Sequence, residues 1–369
     1  MARMDLGPSA ADDSPGEGTV DTLAARCAAV RRRLDTLPRA RLAHLPTPID
    51  HCRNLTSRLK GPELYLKRED CTGLAFGGNK ARQLEFILGE AVHQGADCII
   101  QGAASQSNHA RQLAAAAAKL GLDAYLVPKR DARSSPVQGN FLVANLLGAD
   151  IRMVPAEASM QEAKAELAEE LRAQGRVPYV VGMGATRTLA LAAVAYVGAL
   201  LEIIEWFDGN GVEPPNLIYT TSQGGTQAGL LLGARLIGLD TRIVGVNPMR
   251  SDHEAYISPD GITDLVNEAA RLLGAGLRVD VDDVVNTTDY VGEQYGIASK
   301  AGLEAMELLA ATEGVLLDPV YSAKGFSGLV DHIRSGQIAR GERVLFVHTG
   351  GTPAIFAYAA DLIPEGAEP

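Results

Sequence analysis

Residues 216–229 read NLIYTTSQGGTQAG. A β-branched and aromatic run ends in Thr and Ser, two adjacent glycines follow, and an Ala- and Leu-rich segment of helical period continues to about residue 237. This is strand, tight turn, helix. Such a turn offers a phosphate backbone N–H donors, a hydroxyl and the positive end of a helix dipole. It is neither a Walker A sequence nor GxGxxG, so a nucleotide is not specifically indicated.

On either side of this stretch the same alternation recurs. Strand-like runs stand at 63–67, 97–100, 123–127, 178–181, 242–246 and 343–347, and helical segments at 80–94, 107–120, 137–147, 158–174, 187–207, 225–237 and 298–313. Repeated βαβ units imply a doubly wound α/β fold, with mostly parallel sheets covered by helices on both faces. Ligands in such sheets bind at the carboxyl ends of the strands, where strand order reverses. We expect a smaller domain over 86–185 and a larger one over 36–85 and 186–369. Residues 1–35 are expected as a flexible extension, rich in Gly, Pro, Ser and Asp up to residue 20, with Thr22–Leu34 reading as a short basic helix.

The 369 residues suffice for a large core without disulfides or metals. A net charge of −11 with no long Lys/Arg run disfavours nucleic acid and anionic membranes as partners. Cys27, Cys52, Cys71 and Cys98 form no CxxC pair and have no nearby His at zinc spacing, so free thiols and no metal site are expected. No uninterrupted apolar run is expected to span a membrane; the longest considered are Ile99–Ala104 and Leu113–Ala118, and about 18 residues are needed. The first residues lack the apolar core of a signal peptide, so a cytoplasmic location is expected.

Five segments carry chemistry. Gly77-Gly78-Asn79-Lys80 opens a helix, and a Lys behind two glycines can sit desolvated, its pKa lowered toward a nucleophilic amine; on this segment alone a capping turn with a surface Lys is the safer reading. Ser107-Asn108-His109 starts the next helix, where Ser and Asn cap or present N–H groups to a carboxylate. His109 is a proton carrier or a packing residue, and packing is the safer reading. The 221–229 turn is the third, Asp318-Pro319-Val320-Tyr321-Ser322 with Lys324 the fourth, and His348-Thr349-Gly350-Gly351 the fifth. Three glycine-pair turns with a Lys and a Ser-Asn turn suit one phosphorylated cofactor and one amine nucleophile, a combination that pyridoxal phosphate (PLP) with a lysine would use.

The ordered motifs LYLKRED, GGNKARQLEF, QSNHARQLAAAAAKLG, SQGGTQAG, DPVYSAKG and HTGGTPAIFAY resemble the PLP-dependent D-cysteine desulfhydrase/1-aminocyclopropane-1-carboxylate (ACC) deaminase family, which has the tryptophan synthase β-like fold. The resemblance spans about residues 37–358. It implies PLP as cofactor, Lys80 as the Schiff-base lysine and base for the Cα proton, and Asn79 at the cofactor's phenolic oxygen. It further implies Gln223, Gly224, Gly225 and Thr226 as the phosphate loop. Ser107 and Asn108, with His109 and Thr349 beside them, would hold the substrate, and Ser107 is implied as a catalytic residue that shuttles a proton. Tyr295 and Tyr321 correspond to the two active-site tyrosines, and a homodimer is implied.

The departures bear on the substrate. Where ACC deaminases carry Glu, able to pair with the pyridine nitrogen, this chain has Ser322. Ring opening without a good leaving group needs that help more than expulsion of a thiol or sulfonate. SNH at 107–109 and Thr349 also resemble the desulfhydrase and L-cysteate sulfo-lyase branches. Gln83 replaces a Lys that contacts the phosphate in the family, and a loop expected at 184–195 is altered at Gly184, Ala185, Thr186, Arg187, Ala192 and Ala195. The expected activity is α,β-elimination on a small amino acid, D-cysteine desulfhydrase-like, giving a 2-oxo acid and ammonia. L-cysteate desulfonation, ACC deamination, β-replacement and a catalytically retired binding protein are the alternatives.

Overall fold

The computed structural model of the protein describes residues 22–182 and 185–363. Its strands in chain order are β1 Ile49–His51, β2 Glu63–Arg68, β3 Cys98–Ala104, β4 Asp123–Lys129, β5 Asp150–Ile151, β6 Pro178–Val180, β7 Leu217–Thr221, β8 Arg242–Val246, β9 Val285–Thr287 and β10 Arg343–His348. The helices are α1 Leu23–Leu34, α2 Arg53–Leu59, α3 Asn79–His93, α4 Asn108–Leu120, α5 Gly139–Leu146, α6 Met160–Ala173, α7 Ala185–Gly209, α8 Gly225–Leu236, α9 Pro259–Leu272, α10 Lys300–Glu313, α11 Ser322–Arg334, α12 Ala354–Ala357 and α13 Ala359–Leu362.

Two sheets result. One has the order β1-β2-β10-β7-β8-β9, parallel except for the β1–β2 pair; the other is β5-β4-β3-β6, parallel throughout. This is the α/β class with mostly parallel sheets that the alternation implied. Both sheets are buried on two faces, which is why β7 shows no alternation of buried and exposed residues and is buried at every position, its two threonines included. On one face of the larger sheet α7 lies against α1, α3, α8 and α9, burying Val194, Tyr196, Val197, Leu200 and Ile204. On the other, α10 and α11 cover Leu64, Tyr219, Val246 and Phe346 with Phe326 and Leu329. The smaller sheet packs Cys98, Ile100 and Val127 on Leu167 and Leu171 of α6.

Four expectations need correction. Residues 1–21 lie outside the described residues, but α1 is no part of a loose extension: Cys27, Val30 and Leu34 are buried in the main core. A long apolar segment does exist, Thr186–Gly209 within α7, and most of it is buried among other helices, as a core helix requires. The altered 184–195 loop is helix from Ala185 onward, with Ala192 and Ala195 in the core; Gly184 lies outside the described residues. A domain boundary at 85/86 would also cut α3, an unbroken helix of 15 residues packed on α7.

Candidate active site

The carboxyl ends of β3, β4, β7, β8 and β10 open into one cavity of about 520 Å³, bordered by both sheets. Lys80, Ser107, Gly225, Tyr295, Tyr321 and Thr349 all line it, although they come from widely separated parts of the chain.

Lys80 projects from the first turn of α3, and several bonds fix that turn. Asn79 N donates to Thr349 O at 2.9 Å, Ala81 N to Gln112 Oε1 at 2.7 Å, and Gly78 N to Thr72 Oγ1 at 2.9 Å. Among the described residues the Lys80 amine has no hydrogen-bond or ion-pair partner, and burial alone lowers its pKa from 10.5 to about 8. An appreciable neutral fraction near pH 7–8 makes the amine available as nucleophile and base. The opposite face of α3 is anchored: Arg82, fully buried, pairs with Glu69 at 2.8 Å and Glu202 at 2.7 Å. Burial pushes the Glu69 carboxyl up, but Arg82 and Lys67 overcome this and hold it at about 2. Arg82 is therefore engaged away from the cavity and leaves Gln83, which does line it, as a neutral donor.

At one end of the cavity lies the start of α8. Its N-cap, Gly224, supplies no side-chain bond to the first turn, so the N–H groups of a buried helix end lack an intrahelical or capping partner. Gly225 and Thr226 line the cavity there with Gln223, while Asn79 Nδ2 and Gln83 Nε2 reach Thr226 Oγ1 at 3.3 and 3.4 Å. An uncapped helix terminus, a hydroxyl and a neutral amine fit a phosphorylated aldehyde. Gly224 itself lies behind the wall.

Towards the smaller sheet, Ser107 caps α4 by accepting from Ala110 N at 3.2 Å, and Asn108 Oδ1 accepts from Asn140 Nδ2 at 2.9 Å. His109 pairs through Nδ1 with Gln101 at 2.9 Å, and burial, then Lys80, lower its pKa to about 3, so it is neutral. Tyr295 and Tyr321 share a short hydroxyl–hydroxyl bond. Burial raises the pKa of both above the ordinary tyrosine value, so both phenols stay protonated. Thr349 arrives on a turn that only glycines can follow. Gly350 and Gly351 have φ of +93° and +101°, and a Cβ on them would lie 2.6 Å from Gly78 Cα and from Asp318 Cγ.

The sequence reading placed Ser322 at the cofactor ring. In the structure it is fully buried and not on the cavity wall: its hydroxyl donates to Asp318 Oδ1 at 2.7 Å, and it is Asp318 that lines the cavity. Asp318 also accepts from the backbone N–H groups of Val320, Tyr321 and Ser322, and so shapes the start of α11. Gln101, Gln112 and Asp131 are further residues the sequence did not single out. Asp131 holds the turn before Ser107 through Ser105 Oγ at 2.7 Å.

Residues 40–350 match the family described as pyridoxal-phosphate dependent enzyme. The chain is 38% identical over 334 residues to D-cysteine desulfhydrase of Serratia proteamaculans (strain 568), covering 89% of this chain and 98% of that one. It is 36% identical over 334 residues to 1-aminocyclopropane-1-carboxylate deaminase of Burkholderia ambifaria (strain MC40-6), covering 88% and 98%. A crystal structure of an ACC deaminase homologue superposes with a TM-score of 0.79 at 35% identity, covering 90% of this chain and 98% of that one.

Proposed function

Because the chain belongs to the pyridoxal-phosphate dependent enzymes, we propose that it is a lyase performing α,β-elimination on a small amino acid with a β leaving group. D-cysteine is the reference substrate, giving pyruvate, ammonia and hydrogen sulfide with net uptake of one water. The observation that carries this is the Lys80 amine, lowered to about 8 and without a partner among the described residues, in one cavity with the uncapped start of α8 and the Ser107–Asn108 turn.

When bound, PLP supplies the electron sink that makes the Cα proton removable. Lys80 would hold it and then take that proton; Gln223, Gly225 and Thr226 would hold its phosphate, and Asn79 its phenolic oxygen. Ser107 and Asn108 would orient the substrate carboxylate and so set which Cα bond is broken. The protonated Tyr295–Tyr321 pair is suited to give a proton to the departing β-group, which leaves with the bonding electrons. His109, neutral throughout the working range, and Thr349 would complete the substrate wall. Ser322, bound to Asp318, offers no carboxylate to the ring nitrogen, which favours thiol or sulfonate departure over ACC ring opening. The relative named for ACC keeps that reaction as the competing substrate to test.

We also assign the body around β3–β6 as the smaller of two domains, divided between His93 and Cys98 rather than inside α3, and closing over the cavity. The four cysteines are free thiols, which supports a cytoplasmic enzyme. Exposed Leu142 and Leu146 on α5, beside Phe356 on α12, support a homodimer. The test of the activity is direct. The PLP-loaded protein should release pyruvate from D-cysteine, and Lys80→Ala should release none; substantial turnover by the variant overturns the mechanism.

A further inference from the structure

Tyr295 lies between β9 and α10 in a segment with no helix or strand of its own, so something other than regular secondary structure must fix its phenol in the cavity. Two side chains hold the backbone on either side of it. Lys324 Nζ donates to Gln294 O at 2.9 Å, and Tyr358 OH donates to Gly296 O at 2.8 Å. Ile297 N also reaches Gln294 O, at a longer 3.4 Å.

Both holders are unusual for what they do. Lys324 is fully buried in α11, and Gln294 O is its hydrogen-bond partner, with no carboxylate at ion-pair distance among the described residues. Burial lowers its pKa to about 8 against the pull of Asp318. An apolar side chain of that length would cost less at this position, and a costly buried amine that ends on one carbonyl points to the carbonyl. Tyr358 is in turn clamped by Arg133, from the segment after β4. The Arg133 guanidinium stacks 3.6 Å from the ring, donates to Ala357 O at 2.8 Å and pairs with Asp361 at 3.0 Å. Asp131, two residues earlier, lines the cavity. The grip on Tyr295 thus joins the body of the larger sheet to the body of the smaller one.

We propose that Lys324 and Tyr358 are positioning residues, which hold the Tyr295 phenol against Tyr321 by gripping the carbonyls on its two sides. This rests on the reading of Tyr295 as the proton donor for the leaving group. The test is a mutant cycle on the PLP-loaded enzyme: Lys324→Met, Tyr358→Phe and Tyr295→Phe, singly and in pairs with Tyr295→Phe.

Loss of one bond to a charged donor should lower kcat about 10- to 100-fold in Lys324→Met, and loss of a neutral one about tenfold in Tyr358→Phe. KM should stay within about twofold, since substrate binding is untouched. In the Tyr295→Phe background both should add almost nothing further, because there is no longer a phenolic proton to place. Hydrogen exchange across 291–299 should quicken in both single variants without substrate, while the rest of the chain is unchanged. Full additivity with Tyr295→Phe, unaltered exchange, or an unchanged kcat beside a slow Tyr295→Phe overturns the proposal. Full kcat in Tyr295→Phe itself would instead overturn the catalytic reading of that tyrosine. Should Lys324→Met fail to fold, Tyr358→Phe, which removes a single hydroxyl, decides alone.

Discussion

Lys80 binds its proton to about pH 8 in the fold and to about 10.5 in the unfolded chain. Its charged form is therefore disfavoured by folding, and the cost is complete below pH 8. Between 8 and 10.5 the unfolded chain holds more protons, so stability rises with pH and the cost disappears across that window. In the cofactor-free protein, Lys80→Met is expected to be more stable than wild type by about 1–3 kcal/mol at pH 7. Thermal melts from pH 7 to 10.5 should show the advantage shrinking; an advantage independent of pH would assign it to packing. Lys80 was legible from its place in the ordered motifs, because the glycine turn alone also reads as a cap with a surface Lys. Gln101 and Asp131 were not, because their partners, His109 and Ser105, meet them only once the smaller sheet is assembled. Ser322 shows the converse: its place in the chain was read correctly, but the nearest acceptor, Asp318, takes its hydroxyl.

Among the elements, β8 is observed over the same residues the alternation indicated, and the strand and helix runs around β7 and α8 differ by a residue at their ends. Short strands were missed: β1, β5 and β9 have two or three residues, too few for any period to register. The helix α9 was missed despite a sequence signal, since Ser258 caps it and Pro259 follows at its first turn. The helix α11, which carries Lys324, was hidden because its glycines and serines dilute the apolar pattern. Packing exposes one further property of the elements. Leu146 on α5 is 77% exposed and Phe356 on α12 is 70% exposed, although the two helices touch. If this face joins two copies, Leu146→Glu with Phe356→Glu should convert a dimer to a folded monomer by light scattering. A wild type that is already monomeric, or a variant that remains dimeric, removes this face as the interface.

At the scale of the molecule, two mostly parallel sheets aim the carboxyl ends of their parallel strands at one cavity, and the chain crosses between them at α3 and α7. Fold class and the approximate place of the site follow from the βαβ rhythm, because strand–turn–helix order alone puts glycine turns at those ends. The pairing of the two sheets does not follow, because it depends on the burial of α7, whose apolar length by itself would equally suit a membrane. The same cavity geometry leaves two buried lysines lowered to about 8, Lys80 on its wall and Lys324 behind Tyr295. Borohydride reduction of the PLP-loaded protein, followed by peptide mass mapping, distinguishes them. The phosphopyridoxyl group is expected on Lys80 alone; its recovery on Lys324, or on no lysine of this cavity, would contradict the account.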